Sequence, residues 1–203
     1  MEHLYGKYQI PYRSAKRTFP IQVMIIEYDS MDLKGYADWD PGEHCRAKGC
    51  EYYGQKWSCP PVTPDFRRLS DKYKLSYLLL YAVEKKYFSD IEKEYFRSRT
   101  ARTILRSLGN RAVRELEGQS NGYALLYGRC NLCRKCSKPE NEVCKKPEKL
   151  RYSMEAVGLI IQKLVKLFPT DVVDGDYYIL PFAVMEKKKL QIEFFDHYFI
   201  KSN

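Results

Sequence analysis

The chain has 203 residues, 44% of them apolar and 30% charged, a balance that supports a folded core and excludes an intrinsically disordered chain. Its 35 Lys and Arg against 26 Asp and Glu give a formal charge of +9, a basic balance. No stretch has the length of a membrane span, the opening MEHLYGKYQIPYRS lacks an apolar leader, and seven cysteines is an odd number for a disulfide framework. A reducing, cytoplasmic setting with no membrane partner is expected.

Residues 1–18 read as an irregular basic arm with Tyr5, Tyr8, Pro11 and Tyr12. Ile21 to Asp29 (IQVMIIEYD) is short, apolar and β-branched, and predicts a buried strand. After the Pro60–Pro64 turn, residues 65–75 predict a short helix and Leu75 to Glu84 (LSYLLLYAVE) a second buried strand. From Asp90 to about Leu116, apolar residues such as Ile91, Ile104, Leu105, Leu108, Ala112 and Val113 recur at helical spacing, and Gly109-Asn110 divides the stretch into two helices. On it, Arg99, Arg102 and Arg106 form a row that reads first as a solvated face and second as a docking face for an acidic redox partner or RNA.

Gly122 to Gly128 (GYALLYG) predicts a strand, and Val157, Ile160, Ile161, Leu164, Val165 and Phe168 an amphipathic helix, with Ser153 as N-cap and Pro169 as stop. DYYILPFAVM and LQIEFFDHYFI read as two closing strands with a hairpin across Glu186–Lys189. The expected fold is a single α/β domain over 1–203, with α+β as the alternative. It has a central mixed sheet, flanking helices and two inserted ferredoxin-like cysteine loops, 40–61 and 128–150, that form a metal-cluster lobe.

Cys130, Cys133, Cys136 and Cys144 are spaced C-x2-C-x2-C-x7-C. Thiols at every third position crowd a straight helix and split across a strand, but an irregular loop can wrap them around an inorganic core. The triple matches the bacterial ferredoxin run, although the fourth cysteine comes later and lacks the following proline. A [4Fe–4S] cluster is the leading reading, and a four-cysteine zinc site the alternative. Arg129 and Arg134 flank ligands and are candidate partners of a negatively charged cluster.

Upstream, Cys45, Cys50 and Cys59 are spaced C-x4-C-x8-C-P-P, with Gly42, Gly49 and Gly54 for turns. Three thiols leave a second cluster one ligand short: either His44 completes it or one iron stays open, a Lewis acid for substrate. Trp57 and Tyr52 or Tyr53 are candidate shields against water, and Cys59-Pro60 suggests that the two groups interleave. Two clusters would lower the formal charge by about 3 to 4, which weakens any nucleic-acid argument from net charge.

Together, GCEYYGQKWSCPP, the G-x-C-x2-C-x2-C-x7-C block and RYSMEAVG resemble the "predicted metal-binding protein" family, domain of unknown function 2284. The resemblance runs from about Cys45 to Gly158 and includes Tyr53, Gly54, Trp57, Pro60, Arg151, Ser153 and Glu155. It implies iron–sulfur or other metal binding and assigns no reaction.

The leading expectation is electron transfer between cytoplasmic redox partners through one or two [4Fe–4S] clusters. The alternative is an enzyme that holds a small-molecule substrate at an open iron, with His44, Asp38 or Glu155 as acid or base. A structural zinc subunit is the third reading.

Overall fold

The computed structural model describes residues 4–38, 40 and 42–201. Its centre is a five-stranded sheet built from β1 (Leu4–Arg13), β2 (Thr18–Asp29), β3 (Leu75–Glu84), β4 (Tyr123–Leu125) and β5 (Tyr177–Glu186). The order is β1-β2-β3-β5-β4, and each ladder between these strands is antiparallel. Among the described residues six α-helices accompany it: α1 (Glu43–Ala47), α2 (Phe66–Lys72), α3 (Glu94–Ser120), α4 (Ile161–Leu164), α5 (Thr170–Val173) and α6 (Ile192–Asp196). This is the expected α/β arrangement of a central sheet flanked by helices, with the strands antiparallel throughout rather than mixed.

Both sheet faces are covered, which explains why β3 is an unbroken apolar run rather than an alternating one. One face turns Val23, Ile25, Leu79, Tyr81, Phe182 and Val184 towards Ala101, Leu105, Val113 and Leu116 of α3 and towards Phe195 of α6. The other turns Met24, Ile26, Leu78, Leu80, Ala183 and Met185 towards Phe66 of α2 and towards Met154, Val157, Leu164 and Phe168. Each such side chain contributes about 1.5–3 kcal/mol on burial.

Four local expectations are corrected. The N-terminal arm is strand β1: Tyr8 and Ile10 point inward at a period of two, and Pro11, opposite Pro20, is tolerated because β1 lies at the sheet edge. The Gly109-Asn110 break is absent, and α3 is continuous. A Cβ at Gly109 would lie 2.2 Å from the Phe182 ring, so this glycine allows close helix–sheet approach. The helix expected from Ser153 to Phe168 is broken into short turns, because Gly158 adopts φ +96° and ends the first of them. The last apolar segment is helical rather than a strand: Phe195 and Phe199, four residues apart, are both buried against the sheet. No helix among the described residues is long and apolar enough to cross a membrane.

Candidate metal centre

The cysteine loops leave the sheet region at points fixed by one segment, 153–160. Leu126 N–H donates to the Tyr152 carbonyl (2.8 Å) and Met154 N–H to the Leu126 carbonyl (3.1 Å), closing the base of loop 128–150. Asp38 N–H donates to the Gly158 carbonyl (2.8 Å) and Ile160 N–H to the Tyr36 carbonyl (2.8 Å), fixing the entry to the upstream loop. Its exit is held by Thr63 Oγ1, which donates to the Ala156 carbonyl at 2.6 Å. Helix α3 adds a second anchor: the Asn110 amide exchanges hydrogen bonds of 2.9 and 3.1 Å with the backbone of Tyr127. Arg151 pairs with Glu117, and Arg114 donates to the Lys149 carbonyl at 3.1 Å.

The upstream loop is a series of turns. Cys50 N–H donates to the Cys45 carbonyl (3.0 Å), Tyr53 N–H to that of Cys50 (3.0 Å) and Gly54 N–H to that of Pro60 (2.8 Å). Gly49 (φ +60°) and Gly54 (φ +70°) occupy the left-handed region that side chains avoid. Arg46 ties the loop across itself by pairing with Asp40 and donating to the Tyr53 hydroxyl at 3.0 Å. The guanidinium holds the Asp40 carboxyl below its usual range.

The segment Trp57-Ser58-Cys59 joins the two loops. Trp57 Nε1 donates to the Glu142 carbonyl at 3.0 Å, and Ser58 Oγ accepts from Cys130 N–H at 3.2 Å. Two cation–π contacts reinforce the seam: the Arg129 guanidinium lies 4.2 Å from the centroid of Tyr52, and Lys138 Nζ 4.7 Å from that of Trp57. Within the second loop, Ser137 Oγ donates to the Val143 carbonyl (2.7 Å), Lys146 Nζ to that of Leu132 (3.1 Å), and Lys135 pairs with Glu140 at 2.5 Å.

All seven cysteines are free thiols. Cys130, Cys133, Cys136 and Cys144 line one small cavity with Trp57, Leu132 and Leu150. Leu132 N–H points at Cys130 Sγ, 3.5 Å away. Burial pushes the Cys45 thiol up, and Cys50, Cys59 and then Glu155 push it further. Burial also raises Cys59, with Cys50 and Cys130 adding to the rise and the Ser58 hydroxyl opposing it. The upstream thiols are therefore close enough to interact, and Cys59 adjoins the second group. Among the described residues, no three His, Cys, Asp or Glu side chains already stand at metal-holding geometry, so ligation would draw the thiols inward. The donor set fits a soft metal group: four thiols around one recess, a backbone N–H aimed at sulfur, and no competing carboxylate in the lining.

Of the other candidates, Asp38 and Glu155 line a shared cavity beside the upstream loop. The side chain of His44 lies outside the described residues. Arg134 is exposed, whereas Arg129 is held by Tyr52. No motif in the sequence singles out Ser58 or Ser137, both buried and both bonded across the loops, Ser58 to Cys130 N–H and Ser137 as acceptor from Trp57 Nε1 at 3.3 Å. Their only sequence signal is a serine placed directly beside a cysteine.

A cysteine-rich fold with an all-thiol recess defines a metal-binding class of protein. The chain belongs to the family described as predicted metal-binding protein (DUF2284), whose model matches residues 38–176. No curated protein and no solved structure matches it.

Proposed function

We propose that Cys130, Cys133, Cys136 and Cys144 hold a [4Fe–4S] cluster, and that the protein passes single electrons between cytoplasmic partner proteins. The supporting observation is the recess itself, where four thiols share one small cavity with Trp57 and two leucines. Zinc would accept the same donors, but three thiols at every third residue of a non-helical loop suit a cubic cluster better. When bound, such a cluster supplies one-electron chemistry. The chain's own residues govern its surroundings. Trp57 lines the recess, the Leu132 N–H lowers electron density on Cys130 sulfur, and Lys145 and Lys146 bring positive charge to its wall.

A second reading is supported by Glu155. Its Oε2 is shielded from solvent without a hydrogen-bond partner, near the three-thiol group Cys45, Cys50 and Cys59. Three thiols leave one iron of a second cluster open to substrate. Iron, acid-labile sulfide and zinc should be measured on anaerobically purified protein, with EPR spectra before and after dithionite. About eight irons and eight sulfides per chain support two clusters, and about four support the Cys130–Cys144 cluster alone. Reversible reduction without substrate favours electron transfer, whereas a ligand-sensitive second signal favours the open site. Zinc without sulfide rejects both.

A further inference from the structure

Helix α3 carries more positive charge on one face than nearby acids offset. Arg99, Arg102 and Arg106 are three and four residues apart, so like charges repel along one face. Of the nearby acids, Glu94 stands at the groove these arginines line while accepting from Tyr178 (2.8 Å), Glu115 accepts from Tyr198, and Glu117 pairs with Arg151. Among the described residues, none of the three arginines makes an ion pair, and neither does Arg129. These four arginines line one groove of ≈ 690 Å³ together with Ser98, Thr103, Tyr127 and a single carboxylate, Glu94, so the groove carries an excess of positive charge.

The groove adjoins a deeper cavity. Arg102 and Tyr127 also wall a pocket of ≈ 450 Å³ that combines apolar sides, Leu159, Ile161, Val165 and Leu180 among them, with the charged Asp38 and Lys48. That pocket is lined by Glu155, whose unpartnered Oε2 requires a donor. Charge-assisted bonds from arginine to phosphoryl or carboxylate oxygens are strong, and a buried acceptor selects a ligand carrying N–H or O–H.

We propose that groove and pocket form one binding site for a small molecule bearing two or more anionic groups on a donor-carrying body. The anionic groups lie on Arg99, Arg102, Arg106 and Arg129, and the body reaches past Tyr127 to Glu155. An RNA backbone or an acidic protein would use the arginines but leave the recessed carboxylate unsatisfied. The site stands independently of the cluster reading, although Glu155 brings its inner end close to Cys45.

The test is isothermal titration of the purified protein at low salt with two probes, inorganic pyrophosphate for the groove and ADP for groove plus pocket. Both should bind at one site and compete. The R102Q/R106Q variant should weaken both by about tenfold or more. Glu155→Gln should weaken ADP severalfold and leave pyrophosphate unchanged, and the remote Lys188→Gln should affect neither. Absence of saturable binding, wild-type affinity in R102Q/R106Q, or an ADP affinity indifferent to Glu155→Gln would each overturn the joined site. So would tight binding of an RNA oligonucleotide that pyrophosphate fails to displace. Iron and zinc assayed in the same samples separate the readings: anion binding without metal rejects only the cluster, and metal without anion binding rejects only this site.

Discussion

The sheet and the cysteine loops are held by different physics. In β3 and β5 nearly every side chain is buried on one face or the other, as is half of β2, and apolar burial dominates. Loop 128–150 buries only Ser137 and is held by hydrogen bonds, ion pairs and cation–π contacts. Such contacts are individually worth about 0.5–1.5 kcal/mol. The sheet therefore has an apolar core of its own, which the loops lack.

The sharpest way to break this contrast is Cys133→Ala. The expected outcome is loss of bound metal and of amide hydrogen-exchange protection across 128–150, while β2, β3 and β5 stay protected. Loss of protection throughout the sheet would show that the two regions are one cooperative unit.

A smaller effect belongs to the sheet alone. Glu186, buried at the end of β5, is pushed up to about 7 by burial, with the Ser120 hydroxyl opposing the rise and Glu117 adding to it. Its folded value lies above its ordinary one, so its favourable contribution is full below about pH 4.5 and is lost as pH rises through 7. Glu186→Gln should therefore be more stable than the parent above pH 7, by roughly 3 kcal/mol in denaturant titrations, and equal to it near pH 4. An unchanged gap across that range would refute the assignment.

Next in size is Gly109→Ala. Alanine favours helix by about 1 kcal/mol in isolation. Here its methyl meets Phe182, and a net loss of about 2 kcal/mol is expected with metal content unaltered. The smallest effect is Trp57→Phe, which keeps a ring in the recess but removes the indole donor to Glu142. It should cost about 1 kcal/mol of local stability in the loops and nothing in the sheet, as read by residue-resolved exchange.

Much of the sheet was legible in the sequence because burial on two faces leaves long apolar runs, and the expected limits of β3 coincide with the observed Leu75–Glu84. Strand β1 was not, because its inward Tyr8 and Ile10 are interrupted by Pro11 and carry polar ends. Aromatic and β-branched content made 190–200 resemble a strand, yet Phe195 and Phe199 bury on a helical period. Gly109 resembled a helix breaker because its neighbour Phe182 lies 73 positions away in the chain. At the candidate site, cysteine spacing alone named the thiols. The seam through Trp57 and Ser58, and the pocket at Glu155, arise from partners far apart in sequence, and no local pattern announces them.

The seam also sets a timetable for synthesis. Trp57 Nε1 and the Glu142 carbonyl it reaches are separated by 85 residues, a span that contains β3 and all of α3. At a chain growth of about 5–20 residues per second, roughly 4–17 s pass between the emergence of the first thiol trio and completion of the second. During that interval Cys45, Cys50 and Cys59 lack their neighbouring loop. Slowing elongation between codons 60 and 144 would therefore lengthen the time for which the first three thiols stand without that loop.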